Sequence, residues 1–461
     1  MKKTISSLVA ILLAAPAGAL EWHPLGARAV AMGGAGVACA QGPIAAYWNP
    51  AALGRPSANA YGLQIPLGLH AGITGSVIEG ANDLQSLKDS ASATQAQIDA
   101  ALAKLDQPGS GLRVDAGGGA NLKIGKLALF LNGFADAGAV PYVDRTATTP
   151  GAITAGTNNS KLIVKGVSLA ELGVGYGHEL PFAPGLYLGG ALKIMNAKVG
   201  YADYFILRND DASAGDISSK LKDGARSSSN FGVDLGALWD LDRTFEGVAL
   251  KPRVGLTARN LNNPKFSRPP AATAAGLMGK FAVNPQVRLG ASISPFNWWN
   301  IASDVDLTRN LTPVDNMASR QLGIGSEFNV FNRPWINIPL RVGLMRNLAE
   351  SSAGTILTAG TGLNFLHVIL DVSGAVSTKS VPTQSQGKTE KLPREFGAAF
   401  QLSFLFGGSD EDLPVSERYN APRPDDQPVP TQRVREASEK AHREMEAEDA
   451  KKAPTYAPTT P

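Results

Sequence analysis

Between Tyr61 and Phe406 the chain returns again and again to one pattern, an apolar residue followed by a small or polar one. Alternation at period two places successive side chains on opposite faces of a β-strand, so each such stretch has one oily face and one polar face. The last stretch shows it plainly: Phe400, Leu402, Phe404 and Phe406 share one face, while Ala399, Gln401 and Ser403 take the other. Phe231, Val233, Leu235, Ala237 and Trp239 oppose Gly232, Asp234 and Gly236 in the same way, and Val287, Leu289, Ala291 and Ile293 oppose Arg288, Gly290 and Ser292. Val368, Leu370, Val372 and Val376 face away from Asp371, Ser373 and Ala375, and Val305 and Leu307 face away from Asp304 and Asp306. A chain patterned like this is all-β, with charges gathered on the face that the oily residues avoid.

Alternation is shared by soluble sandwiches and membrane barrels, and loop lengths separate them. Fourteen segments are read as strands, near 60–77, 112–124, 127–138, 162–179, 186–204, 228–241, 252–261, 285–294, 300–309, 319–330, 339–347, 356–365, 368–378 and 394–406. Connections after even-numbered segments are mostly short, as at Gly125-Lys126 and Leu366-His367, whereas many after odd-numbered ones are long and polar or Gly/Pro-rich. An even strand count with short turns at one end and long loops at the other predicts a transmembrane antiparallel β-barrel in the bacterial outer membrane, both termini periplasmic. Phe182, Trp239, Phe296, Trp298, Trp299, Phe331, Trp335, Phe365 and Phe406 collect at the short-turn end, as an interfacial aromatic girdle does.

Outside the N-terminus no window approaches the roughly 18 consecutive apolar residues of a spanning helix, which excludes a helical membrane bundle. Lys2 and Lys3, the apolar run 5–15 and Ala17-Gly18-Ala19 read as a secretory signal peptide over residues 1–19. A helical insertion is expected at 82–105, where Leu84, Leu87, Ala91, Ile98, Leu102 and Leu105 recur at helical spacings, in the first external loop. The segment 408–461, rich in Pro and charge, has too little apolar surface to fold and is expected to be a disordered periplasmic tail.

Chemistry is harder to find. Cys39 stands alone and the five His show no ligand spacing, so neither a disulfide framework nor a metal or other cofactor is expected. A net charge of +3 is too weak to argue for nucleic-acid binding. Met32-Gly33-Gly34-Ala35-Gly36 lacks the βαβ surroundings of a dinucleotide loop. Asp304 and Asp306 lie on one face of one strand and could act as paired carboxylates, but lumen charges opposed by Arg or Lys explain them more simply. No catalytic site is expected; Arg259, Arg288, Asp304, Asp306, Arg341 and Asp371 are the candidate lumen charges.

The stretch Gly26 to Ala38 and the run Ala45-Ala46-Tyr47-Trp48-Asn49-Pro50-Ala51-Ala52-Leu53 resemble the N-terminal plug, or hatch, of FadL-type long-chain fatty-acid transporter barrels, in which an Asn-Pro-Ala motif sits in the plug. The resemblance implies a plug over 20–58, carried by Met32, Gly33, Gly34, Gly36, Trp48, Asn49, Pro50 and Ala51, inside a barrel over 59–407. Gly255 to Phe266, 306–310 and 339–348 resemble the TraF-type conjugal transfer outer-membrane proteins; with the plug and the last strand this similarity extends over most of 25–406. The two resemblances imply different functions: passage of a hydrophobic small molecule, or a structural and interaction role in a conjugation or secretion apparatus. The implied partners are outer-membrane lipids and either a hydrophobic ligand or a periplasmic or transfer-apparatus protein docked through the tail.

Overall fold

The computed structural model describes residues 20–56, 60–88, 93–208, 214–245, 248–314, 317–333, 335–350, 354–385 and 388–407. The expected signal peptide (1–19) and tail (408–461) lie outside the described residues. Fourteen strands form one closed barrel. They are β1 (Tyr61–Thr74), β2 (Gly111–Ile124), β3 (Leu127–Tyr142), β4 (Lys161–Glu179), β5 (Leu186–Phe205), β6 (Arg226–Asp240) and β7 (Arg253–Arg259). The second half comprises β8 (Gln286–Phe296), β9 (Trp299–Asp306), β10 (Gln321–Arg333), β11 (Ile336–Asn347), β12 (Thr355–Phe365), β13 (Val368–Ser377) and β14 (Glu395–Phe406). Every neighbour pair is antiparallel, and β1 closes on β14 with Tyr61 opposite Phe406.

Burial follows the alternation. In β8 Gln286, Arg288, Gly290, Ser292 and Ser294 are buried toward the lumen, while Leu289 and its outward neighbours form the outer face. Outward apolar residues are widely exposed, with Leu172 at 58%, Leu192 at 61% and Ile194 at 64%. A closed sheet has no second layer to cover such a belt, and lipid is the solvent that tolerates it; the fold is a transmembrane β-barrel. Among the described residues no helix is long and apolar enough to cross a membrane. At the short-turn end Phe296, Trp298, Trp299 and Phe328 stack on one another, with centroids 5.4 Å apart for Phe296 and Trp298.

The long-loop end carries small extra structure: strand pairs such as Ser380–Ser385 with Lys388–Pro393, and several short helices. The first loop differs from the single helix expected over 82–105. Helical structure begins earlier, at Val77–Lys88, and a second helix runs Gln95–Leu105. The division has a local cause: Thr94 caps the second helix, its side chain accepting from the Gln97 N–H while the Gln97 side chain accepts from the Thr94 N–H. Ile98, Leu102 and Leu105 bury their stripe against Val77, Leu84, Val143, Ile153 and Leu207, making a separate small core above the barrel.

Candidate functional site

The lumen is occupied by the chain's own residues 20–56, nearly all of them buried. Barrel glycines make room for it. A Cβ at Gly325 or Gly343 would fall on the backbone of Met32 and Gly33, one at Gly290 on Val37, and one at Gly177 or Gly189 on Pro50 and Ala51. In strand interiors these glycines mark close backbone approach, a signal present in the sequence but not read there as contact. Within the segment, Gly33 and Gly34 have φ of 68° and 79°, and Gly36 packs so tightly on the Trp48 ring that no side chain fits. The Asn49 side chain accepts from the Ala51 N–H and donates to the carbonyls of Val37 (3.1 Å) and of Ala237 in β6 (3.0 Å), so one amide ties two parts of the segment to the wall. Pro50 follows as the first residue of a short 3-10 turn, where its fixed φ is already suitable.

All six candidate lumen charges face inward and are buried, and the structure distributes them over four arrangements. Arg341 pairs with Asp371 at 2.6 Å and with Glu327 at 2.5 Å, and Glu327 also accepts two bonds from Arg28 of the N-terminal segment, at 2.8 and 2.9 Å. Arg288 pairs with Asp306 at 2.6 Å. Asp304, two residues away, instead uses its Oδ2 to accept the backbone N–H groups of Gly36 (2.8 Å) and Val37 (2.9 Å), so Asp304 and Asp306 have separate structural partners. Arg259 pairs with Glu171 beside Asp234 and Lys193, and its guanidinium sits 4.0 Å over the Tyr47 ring and 5.3 Å over the Trp22 ring. Arg288 similarly covers Trp22 at 4.6 Å. Sequence reasoning missed Glu327, the hub of the first arrangement; its place in β10, in register with Arg341, was the available signal.

On the long-loop side of the segment a cavity remains, with about 870 Å³ of atom-free space including its mouth. Trp22, Leu25, Val30, Met345 and Ile356 give it an apolar wall. At one end lies a buried polar cluster not foreseen from sequence. Arg113 pairs with Glu21 and with Asp115 (3.0 Å), and Asp115 also meets His23 (3.1 Å) and His70 (2.9 Å). Among the described residues no group of His, Cys, Asp or Glu is arranged to hold a metal ion.

A closed antiparallel barrel with a lipid-facing apolar belt and a lumen filled by its own N-terminal segment defines the class: an occluded transmembrane β-barrel. The chain belongs to the TraF family, whose model, described as "F plasmid transfer operon, TraF, protein", matches residues 46–306, more than half of its length. No curated protein matches it. Among solved structures it is similar to the Ralstonia pickettii toluene transporter TbuX, at 14% identity over 83% of this chain and 98% of that one with a TM-score of 0.45. It is also similar to the Pseudomonas putida toluene transporter TodX (12% identity, 85% and 100% covered, TM-score 0.45) and to a Pseudomonas aeruginosa FadL homologue (11%, 85% and 100%, 0.43).

Proposed function

We propose that this protein is an outer-membrane barrel that captures a hydrophobic small molecule from the long-loop side and holds it against its N-terminal plug. The observation that carries this reading is the cavity: an apolar wall formed jointly by the segment (Trp22, Leu25, Val30) and the barrel (Met345, Ile356). Concave, largely apolar space with a few convergent polar groups is what ligand sites share. The Arg28–Glu327 pair and close backbone contacts hold the segment against the wall, so on this reading onward passage requires the segment to shift, and diffusive porin behaviour is disfavoured. The test is whether native protein purified from membranes carries an apolar compound detectable by mass spectrometry, and whether cells lacking the protein lose uptake of a fluorescent hydrocarbon. Absence of both removes the reading.

A second reading is favoured by the family match: a structural or interaction component of a conjugation or secretion apparatus. The densely paired lumen suits a barrel whose interior is a rigid support. It predicts that loss of the protein impairs conjugation or secretion and recruitment of apparatus proteins while hydrocarbon uptake is unchanged.

A further inference from the structure

On the outside of the barrel, toward the long loops, the outward residues of β4, β5 and β6 fall into registered rows. Leu172, Ile194 and Phe231 stand side by side, 58%, 64% and 59% exposed. The next row up is Ala170, Asn196 and Ser229, and the one above it Ser168, Lys198 and Ser227, all exposed. The Asn196 amide donates to the Ser229 hydroxyl at 3.0 Å and accepts from the Ser227 hydroxyl at 3.2 Å, which ties the polar rows together. Higher still, Gly166 faces Gly200 across the strand pair, and the helix Ala214–Asp223 lies there against the outside of the wall: a Cβ at Gly200 would come 2.9 Å from the Leu221 side chain. Laid down in this way, the helix brings Lys220 and Lys222 to the wall above Lys198, with Asp223 the acidic residue next to them. The Lys220 ammonium sits 4.7 Å over the Tyr204 ring, while Lys198 and Lys222 have no ion-pair partner among the described residues. Height fixes what this patch meets. Leu186, at the foot of β5, is opposite the girdle residue Trp239, and Asn196 lies ten residues further along. At about 3.3 Å per residue and a tilt of about 40° the rise is about 25 Å, the height of the apolar band of such barrels. The polar rows begin where acyl chains end and head groups start.

We infer that this patch binds a phosphorylated glycolipid of the leaflet on the long-loop side. Its phosphates meet Lys198, Lys220 and Lys222, its sugar hydroxyls meet Asn196, Ser227 and Ser229, and its acyl chains run down the Leu172, Ile194 and Phe231 row. Lysines alone would attract any anionic lipid. Rows that span three strands are about 10 Å across, which suits a head of two sugars rather than a single phosphate. The surface lies outside the lumen, so it is independent of the cavity and rests only on the outer-membrane location proposed above. Native mass spectrometry of the delipidated full-length protein tests it, with diphosphoryl lipid A, its dephosphorylated form and phosphatidylglycerol as probes. Diphosphoryl lipid A is expected to be retained at least about tenfold more tightly than either of the others, the attraction of a few lysines for an anionic head being of that order. Changing Lys198→Ser and Lys222→Ser together should lower that retention about tenfold, whereas Lys126→Ser, on a short turn at the opposite end, should leave it unchanged. If the paired variant does not assemble, retention by the unaltered protein should still fall steeply between about 0.05 and about 0.5 M salt. Equal retention of the dephosphorylated form or of phosphatidylglycerol overturns the inference, as does salt-independent retention or an assembled paired variant that binds as well as the unaltered protein. Recovery of the protein outside the outer-membrane fraction removes the location itself, and the inference with it.

Discussion

Glu327 sits between two guanidiniums, Arg28 of the N-terminal segment and Arg341 of the wall, and pairs with both. Removing one partner of a buried ion pair leaves the others uncompensated, typically at about 3–5 kcal/mol. Glu327→Ala is therefore expected to loosen the segment, read as faster proteolysis within residues 20–56 of the assembled barrel, whereas a tail or loop substitution leaves it protected. Gly33 fails for a different reason. At φ 68° its added methyl would be driven into the carbonyls of Leu344 and Ile324, so Gly33→Ala combines left-handed strain of about 1–2 kcal/mol with overpacking of about 1–3 kcal/mol. Gly34, with φ 79° but only the flexible Met345 side chain close by, should suffer less from the same change. If the two alanine variants release the segment equally in the same proteolysis assay, the packing argument at Gly33 is wrong. Both residues were legible in sequence as members of one glycine run; which of them faces backbone and which faces a yielding side chain was not, because that depends on strands some three hundred residues away.

At the scale of the element, the strand face decides what a substitution costs. Leu289, outward and 37% exposed near the middle of β8, borders lipid, and Leu289→Arg is expected to cost about 2–4 kcal/mol in a urea titration of the folded barrel. Phe182, 83% exposed on a short turn, lies where an arginine costs about 0–1 kcal/mol, so Phe182→Arg should be nearly neutral; equal effects would mean the belt is misplaced. The helical pair of the first loop depends on its cap: Thr94→Ala should destabilise the Gln95–Leu105 helix by about 1 kcal/mol, seen as faster amide exchange there without change in the strands. The neighbouring loop has an acid limit. The side chain of Asp144 accepts from the Thr146 hydroxyl and from the Thr146 and Asn159 N–H groups, which hold its carboxyl at about 2. A depressed carboxylate contributes order above its unfolded value, near 4, and loses it as pH falls through about 2, so the Thr146 and Asn159 amide resonances should shift in that window and not between pH 5 and 8. Alternation made the strands readable because it is a local property. The split of the helix at Thr94 escaped the apolar periodicity, since Leu84, Leu87 and Ile98 fit one helix as well as two.

For the molecule as a whole, the barrel closes through β1 and β14 without help from the segment inside it, since Tyr61 to Gly72 pair continuously with Phe406 to Glu395. Deleting residues 22–52 is thus expected to leave a heat-modifiable barrel in the membrane at near-normal abundance and, under the proposed capture function, to alter hydrocarbon uptake and reduce retention of any bound apolar compound. Loss of the folded barrel instead would show that the ion pairs and glycine contacts of the lumen are needed for closure. The sequence by itself determined the strand count, the two faces, the unequal loops and the polar character of the lumen, because each is written in short-range periodicity and in turn residues. Only the tertiary structure decided which lumen charges are partners, which strand glycines receive the N-terminal backbone, and where empty space remains. Those depend on distances between residues from opposite ends of the chain, as between Glu21 and Arg113 or Arg28 and Glu327, and no local pattern encodes a void left between two surfaces that meet only on folding.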